Sequence, residues 1–192
     1  MNSEDFKIMR EQLAKFEERR DELIAKSREL IRLSKKVIYS VHRGDSKNAA
    51  SSLKELEKRF KELNKSAKLQ PELFYSGLFK SSVQEYVEAA CFYSIIEKDK
   101  LPTHKELNVM AEHYLLGICD LVGELSRKAI NSAAESDYST ALKIKKIVSD
   151  IYDELMQFDF SNGELRKKFD GIKYEVKRLE EMGLQLSIRN KN

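Results

Sequence analysis

No tryptophan occurs in the chain, and there are only two prolines, Pro71 and Pro102. Glycine is scarce as well, at seven in 192 residues. A β-rich fold needs turn residues at short intervals, so this scarcity argues against one. The two cysteines, Cys91 and Cys119, lie in apolar surroundings without CxxC spacing. That predicts two reduced, buried thiols in a reducing compartment. No apolar run approaches the length of a membrane span, and the opening MNSEDFKIMREQ is charged, with no apolar signal core. A soluble, cytoplasmic protein is expected. Also missing are GxSxG, a P-loop, GxGxxG and a convincing Cys–His pairing. If the chain is an enzyme, metal-assisted hydrolysis is the chemistry its residues allow.

What remains is rich in charge, 35% of residues, with 41% hydrophobic residues and a net charge of +3. The composition favours long helices, and the positive bias is too mild to indicate nucleic acid by itself. Helical periodicity runs from about Glu4 to His42, with Leu23, Ile24, Leu30, Ile31, Leu33, Val37, Ile38 and Val41 on one face. Arg28, Arg32, Lys35, Lys36, Arg43 and Tyr39 fall on the other. Gly44 ends this helix, and Asp45 or Ser46 caps the next, which runs to about Ala67. Pro71 opens a third helix continuing to about Glu97. Thr103-His-Lys-Glu106 is a capping-box pattern predicting a fourth, to about Glu135. Asp137 or Ser136 caps a fifth, reaching about Phe158. Ser161-Asn-Gly-Glu164 is a second capping box, before a last helix of about 25 residues. The expectation is an all-α single domain over residues 1–192, with six to seven long antiparallel helices.

The third and fourth helices differ from the rest. Between Phe74 and Ile96 the only charged residues are Lys80, Glu85 and Glu88; between Tyr114 and Leu125 they are Asp120 and Glu124. A helix apolar around most of its circumference is buried, so these carboxylates are expected to be at least partly buried. Glu85 and Glu88 share a helix face, as do Asp120 and Glu124. A buried carboxylate needs a cation, a hydrogen-bond network or a proton. If the two faces meet, a hard ion such as Mg²⁺ or Mn²⁺ suits the all-oxygen cluster. Solvated helix surface, or a network satisfied by Arg127, are the alternatives from pattern alone. His113 is a possible ligand, two turns before Asp120. A di-iron bundle would want Glu-x-x-His pairs, and the spacing here is Glu-x-x-Glu.

The stretches Gln84-Glu-Tyr-Val-Glu-Ala-Ala-Cys-Phe92 and His113-Tyr-Leu-Leu-Gly-Ile-Cys-Asp-Leu-Val-Gly-Glu-Leu-Ser-Arg-Lys-Ala-Ile-Asn131 resemble the translin family, and within it the translin-associated factor X branch. Ser27-Arg28, His42-Arg43 and Tyr152-Asp153 extend the resemblance over nearly the whole chain, most weakly between Gly44 and Gly77. It implies an all-helical fold that assembles into a closed octameric shell and binds nucleic acid. It also implies a Mg²⁺-dependent endoribonuclease centre facing the interior, with Glu85, Glu88 and Asp120 as catalytic acids and Glu124 as a further ligand or outer residue. Plain translin-like proteins lack the acidic set, so the resemblance leaves a non-catalytic RNA- or single-stranded-DNA-binding shell as the alternative. The chain departs from factor X proteins in its short N-terminal segment and in the brief connection between the third and fourth helices, about Lys98 to His104. These departures fit a homo-octamer better than pairing with a separate translin-like subunit. A Lys/Glu-rich composition fits a prokaryotic or archaeal source.

In the expected mechanism, Mg²⁺ (or Mn²⁺) held by Glu85, Glu88, Asp120 and Glu124 activates water, and Glu88 orients it. Arg127 either clamps a phosphate or pairs with Glu124. Arg28, Arg32, Lys35, Lys36 and Arg43 either track the RNA backbone or form an ordinary solvated face, and Tyr39 either stacks on a base or is simply an exposed side chain. Nothing reads base sequence, so single strands or unpaired ends are the expected RNA.

Overall fold

The computed structural model describes residues 3–68, 71–74 and 76–189. In chain order the helices are α1 (Ser3–His42), α2 (Ser46–Lys68), α3 (Pro71–Phe74), α4 (Gly77–Lys98), α5 (Ala111–Ala134), α6 (Tyr138–Leu155) and α7 (Glu164–Arg189). Six are long, α3 is a single turn, and no strand occurs among the described residues. No helix among them is long and apolar enough to cross a membrane. The fold is all-α, as the periodicity predicts.

Turn chemistry sets where the helices stop. Gly44 takes the left-handed conformation (φ 69°). The Gly44 N–H then reaches the Val41 carbonyl at 3.1 Å and the Asp45 N–H the Ser40 carbonyl at 2.9 Å. This double closure is a Schellman end. Asp45 then caps α2, accepting from the Asn48 N–H at 3.1 Å. Asp137 does the same for α6, accepting from the Thr140 N–H at 3.1 Å.

Three expected helix starts move. The helix foreseen from Pro71 to Glu97 is divided: α3 ends at Phe74, and α4 starts at Gly77, where the Ser76 hydroxyl accepts from the Phe79 N–H. Tyr75, between them, lies outside the described residues. The Thr103–Glu106 capping box does form. The Thr103 N–H donates to Glu106 Oε2 at 2.8 Å and the Glu106 N–H to Thr103 Oγ1 at 3.2 Å. It closes one turn only, because Asn108 goes left-handed (φ 53°) and α5 begins afresh at Ala111. The α4–α5 connection is therefore longer than Lys98 to His104. The second box does not form. α7 begins at Glu164 itself, which puts that residue in the first turn, and its carboxylate pairs with Lys80 of α4 at 3.3 Å.

α1 packs on α2 and α4, α4 on α5, α5 on α6 and α7, and α6 on α7. One cluster of buried side chains runs through all of these, from Leu23 to Leu179. The α4–α5 crossing is the tightest point. A Cβ on Gly117 would stand 2.7 Å from Val87 Cβ and 2.9 Å from the Gln84 carbonyl oxygen. Only a glycine lets the two backbones approach this closely. Both Cys91 and Cys119 are buried and free.

The first half of α1 buries no side chain among the described residues. Residues 3–22 are all exposed, while Leu23, Ser27, Leu30, Leu33, Ser34, Val37, Ile38 and Val41 are buried. The exposed half is about 30 Å long and carries Phe6, Met9, Leu13 and Phe16 in the 3–4 spacing that Leu23, Ser27, Leu30, Ser34 and Val37 continue. The buried stripe thus extends outward as an apolar stripe in water.

Gly117→Ala tests the close crossing. The added methyl meets a stiff β-branched side chain and a backbone carbonyl, so stability should fall by about 1–3 kcal/mol despite alanine's better helix propensity. Urea unfolding measures this; an unchanged or raised midpoint would show that the crossing is slack.

Candidate functional site

Four elements meet at the α4–α5 crossing. Glu85 and Glu88 stand on α4, and Asp120 and Glu124 on α5, each neither fully buried nor fully exposed. The partial burial expected from the sequence is present, and so is the convergence: the four carboxylates act on one another electrostatically. Burial, then the charges of Asp120, Glu85 and Glu124, push the Glu88 carboxyl up to about 8, against the relief of Lys168. Burial also raises Glu85, opposed first by the ammonium of Lys35 and reinforced by Asp120. Neither Glu85 nor Glu88 makes a side-chain hydrogen bond or ion pair among the described residues. The cluster is therefore short of positive charge.

The α5 pair is held differently. Both oxygens of Asp120 accept from Lys168 Nζ on α7, at 2.6 and 2.5 Å. Glu124 Oε2 accepts from His42 Nε2 of α1 at 2.5 Å. That bond, against the opposing effect of burial, holds the Glu124 carboxyl below its usual range. The His42 side chain is 7% exposed and rests against Phe92, ring centroids 4.8 Å apart. Its Nδ1 is buried without a partner among the described residues. Arg127 is exposed and pairs with Glu124 at 3.6 Å, which is the ion-pair alternative foreseen for it. His113 is not near the cluster: it is buried edge-on to Phe79 and lines a separate cavity with Phe60 and Asn64. Burial pushes the Cys119 thiol, beside Asp120, up to about 12, so it offers no thiolate nucleophile near neutral pH.

Along the end of α1 and the start of α2, an open groove of about 650 Å³ is lined by Arg32, Lys35, Lys36, Tyr39 and Arg43, together with Asp45 and Asn48. Lys35 belongs to both places, since its charge also acts on Glu85. Arg28 is exposed one turn earlier and does not line the groove. The basic stripe and the acidic cluster thus share one cation, Lys35. Sequence reading missed Lys168 and gave His42 no role. The pair His42-Arg43 was visible as a motif; nothing in the order of residues placed α7 over α5.

Does the site suit a metal? The donor set does: oxygen ligands only, with uncompensated negative charge, fit a hard divalent cation. The present arrangement does not complete one. Among the described residues, no three His, Cys, Asp or Glu side chains are placed to hold an ion as they stand. Asp120 is committed to Lys168 and Glu124 to His42.

An all-helical bundle with acids at its α4–α5 crossing and a basic groove on its first helix is the class these features define. The translin family model matches residues 18–190, and the chain belongs to the translin family. An uncharacterised protein of Methanocaldococcus jannaschii is 33% identical over 155 residues, 79% of this chain and 68% of that protein. Translin of Gallus gallus is 41% identical over 81 residues, 42% of this chain but only 35% of that translin. Translin-associated protein X of Rattus norvegicus is 24% identical over 226 residues, covering 96% of this chain and 78% of that protein. Among solved structures, AfC3PO in its duplex RNA complex superposes with a TM-score of 0.85 at 28% identity, over 98% of this chain and 99% of that one.

The raised Glu88 carboxyl makes stability pH-dependent. Its charged form is disfavoured in the fold, so its contribution is fully present below the ordinary value near 4.5 and is lost as pH rises through about 8. In EDTA, Glu88→Gln should melt higher than the parent at pH 9, with the gap closing toward pH 5. A gap that is constant across that range would show that Glu88 does not titrate this way.

Proposed function

We propose that the chain is a divalent-metal-dependent endoribonuclease of the translin-associated factor X type, working in the cytoplasm as a homo-oligomeric shell. The observation that carries this reading is the convergence of Glu85, Glu88, Asp120 and Glu124 at one helix crossing, where Glu85 and Glu88 have no direct cation partner among the described residues. Sequence identity does not choose the branch: the translin match is stronger but short, and the protein X match is weaker but nearly full-length. The acidic set is the argument for the catalytic one.

Mg²⁺ or Mn²⁺ bound among these acids supplies Lewis-acid activation of water and of the phosphoryl oxygens. The chain does the rest. Glu85, Glu88 and Asp120 provide ligand oxygens, and Glu88 orients the attacking water and takes its proton. His42 fixes the direction of Glu124 from a packed, buried position. Arg127 lies at the exposed edge, where its fork can turn from Glu124 to a phosphate. Arg32, Lys35, Lys36 and Arg43 track the backbone along the groove, and Tyr39, 58% exposed there, offers a stacking face. Arg28 extends the basic path. The sequence holds no motif that reads a base sequence. Single strands and unpaired ends are the proposed substrates, with duplex RNA tested beside them because AfC3PO forms a duplex RNA complex.

End-labelled RNA incubated with the protein should be cut internally with Mg²⁺ and remain intact with EDTA. Asp120→Asn should lower cleavage by at least about 10²-fold, the scale on which catalytic groups act, while RNA binding persists. Binding without cleavage, in Mg²⁺ and in Mn²⁺, would instead support a non-catalytic RNA- or single-stranded-DNA-binding shell.

The apolar overhang of α1 supports assembly, because a lone subunit would leave Phe6, Met9, Leu13 and Phe16 in water. We expect a homo-octamer by light scattering, without a translin-like second subunit. Leu13→Glu should shift it to smaller species with unchanged helicity. A parent protein that is already monomeric would overturn the shell.

A further inference from the structure

We propose that Lys168 is a displaceable counter-cation of the acidic cluster: it holds Asp120 while no metal is present and must release it before Asp120 can become a ligand, so that it sets the metal affinity. This inference rests on the metal-dependent reading above. Lys168 Nζ engages both oxygens of Asp120, and the two side chains are only 27% and 33% exposed. An ammonium and a divalent ion on one carboxylate would repel strongly at so short a separation in a half-buried site. The two cations therefore compete for Asp120. That competition accounts for a cluster whose charges call for a cation although no three acids stand ready to hold one.

The surroundings make Lys168, and not His42, the group that moves. Lys168 ends a flexible four-carbon stem. The start of α7 has its own tether, Glu164 to Lys80 of α4, so releasing Asp120 leaves the helix docked. His42 is a rigid ring packed on Phe92 and almost wholly buried, so it stays on Glu124 as a positioning residue. Lys167, the next residue, is exposed, which provides a control of equal charge.

The test is Mn²⁺ binding to the full-length protein by calorimetry, with cleavage not involved. Lys168→Met should tighten Mn²⁺ binding by about tenfold or more and enlarge the rise in melting temperature on adding Mn²⁺. Lys167→Met, with the same change in net charge, should shift the Kd less than about twofold, as expected for a screened surface charge. Lys168→Arg, which keeps a cation on Asp120, should not tighten binding. Equal affinities for the parent and Lys168→Met, or weaker binding by Lys168→Met, would overturn the proposal while leaving the metal site standing. Equal tightening by Lys167→Met and Lys168→Met would also overturn it, reducing the effect to net charge. Absence of Mn²⁺ binding in every variant would overturn both this proposal and the metal-dependent reading.

Discussion

The close crossing of α4 and α5 is the constraint on which the rest depends. Gly117 lets the α5 backbone come against Val87 and the Gln84 carbonyl. That approach sets the α4 acids, one and four residues past Gln84, against Asp120 and Glu124, one and two turns past Gly117. Carboxylates at a packed helix interface lose hydration that a surface pair would keep. Their mutual repulsion follows from the packing, and a need for positive charge follows from the repulsion.

The molecule meets that need unevenly. Each α5 acid has a cation or a donor from a different neighbour, Lys168 from α7 and His42 from α1, so α5 is clasped from both sides. Among the described residues the α4 acids have none in direct contact, and the charges of Lys35 and Lys168 reach them at a distance. The same helix that brings His42 to Glu124 presents Arg32, Lys35, Lys36 and Arg43 along a groove, and the charge of Lys35 in that groove also acts on Glu85. α1 therefore contributes to the packing, to the positioning of one acid and to a path for an anionic polymer. Its first twenty or so residues extend beyond the core, where the subunit alone cannot cover them.

Much of this was legible from the chain. Periodicity and breakers located the long helices, because an apolar stripe at helical spacing has one stable way to be buried. Glu85, Glu88, Asp120 and Glu124 stood out because charges are costly in otherwise apolar helices. The misplaced helix starts have different origins: Asn108 goes left-handed after a capping box that does form, a local cause, whereas Glu164 pairs across helices with Lys80.

The sequence by itself determined the all-helical class, the two apolar helices, the four acids and the basic face of α1, since each depends on residue type and spacing within one helix. Only the tertiary structure decided that Lys168 lies on Asp120 and His42 on Glu124, that His113 belongs to another cavity, and that the first half of α1 is exposed. The two bonds join residues 48 and 82 apart, and helical periodicity records which face of a helix is buried, not which neighbour buries it.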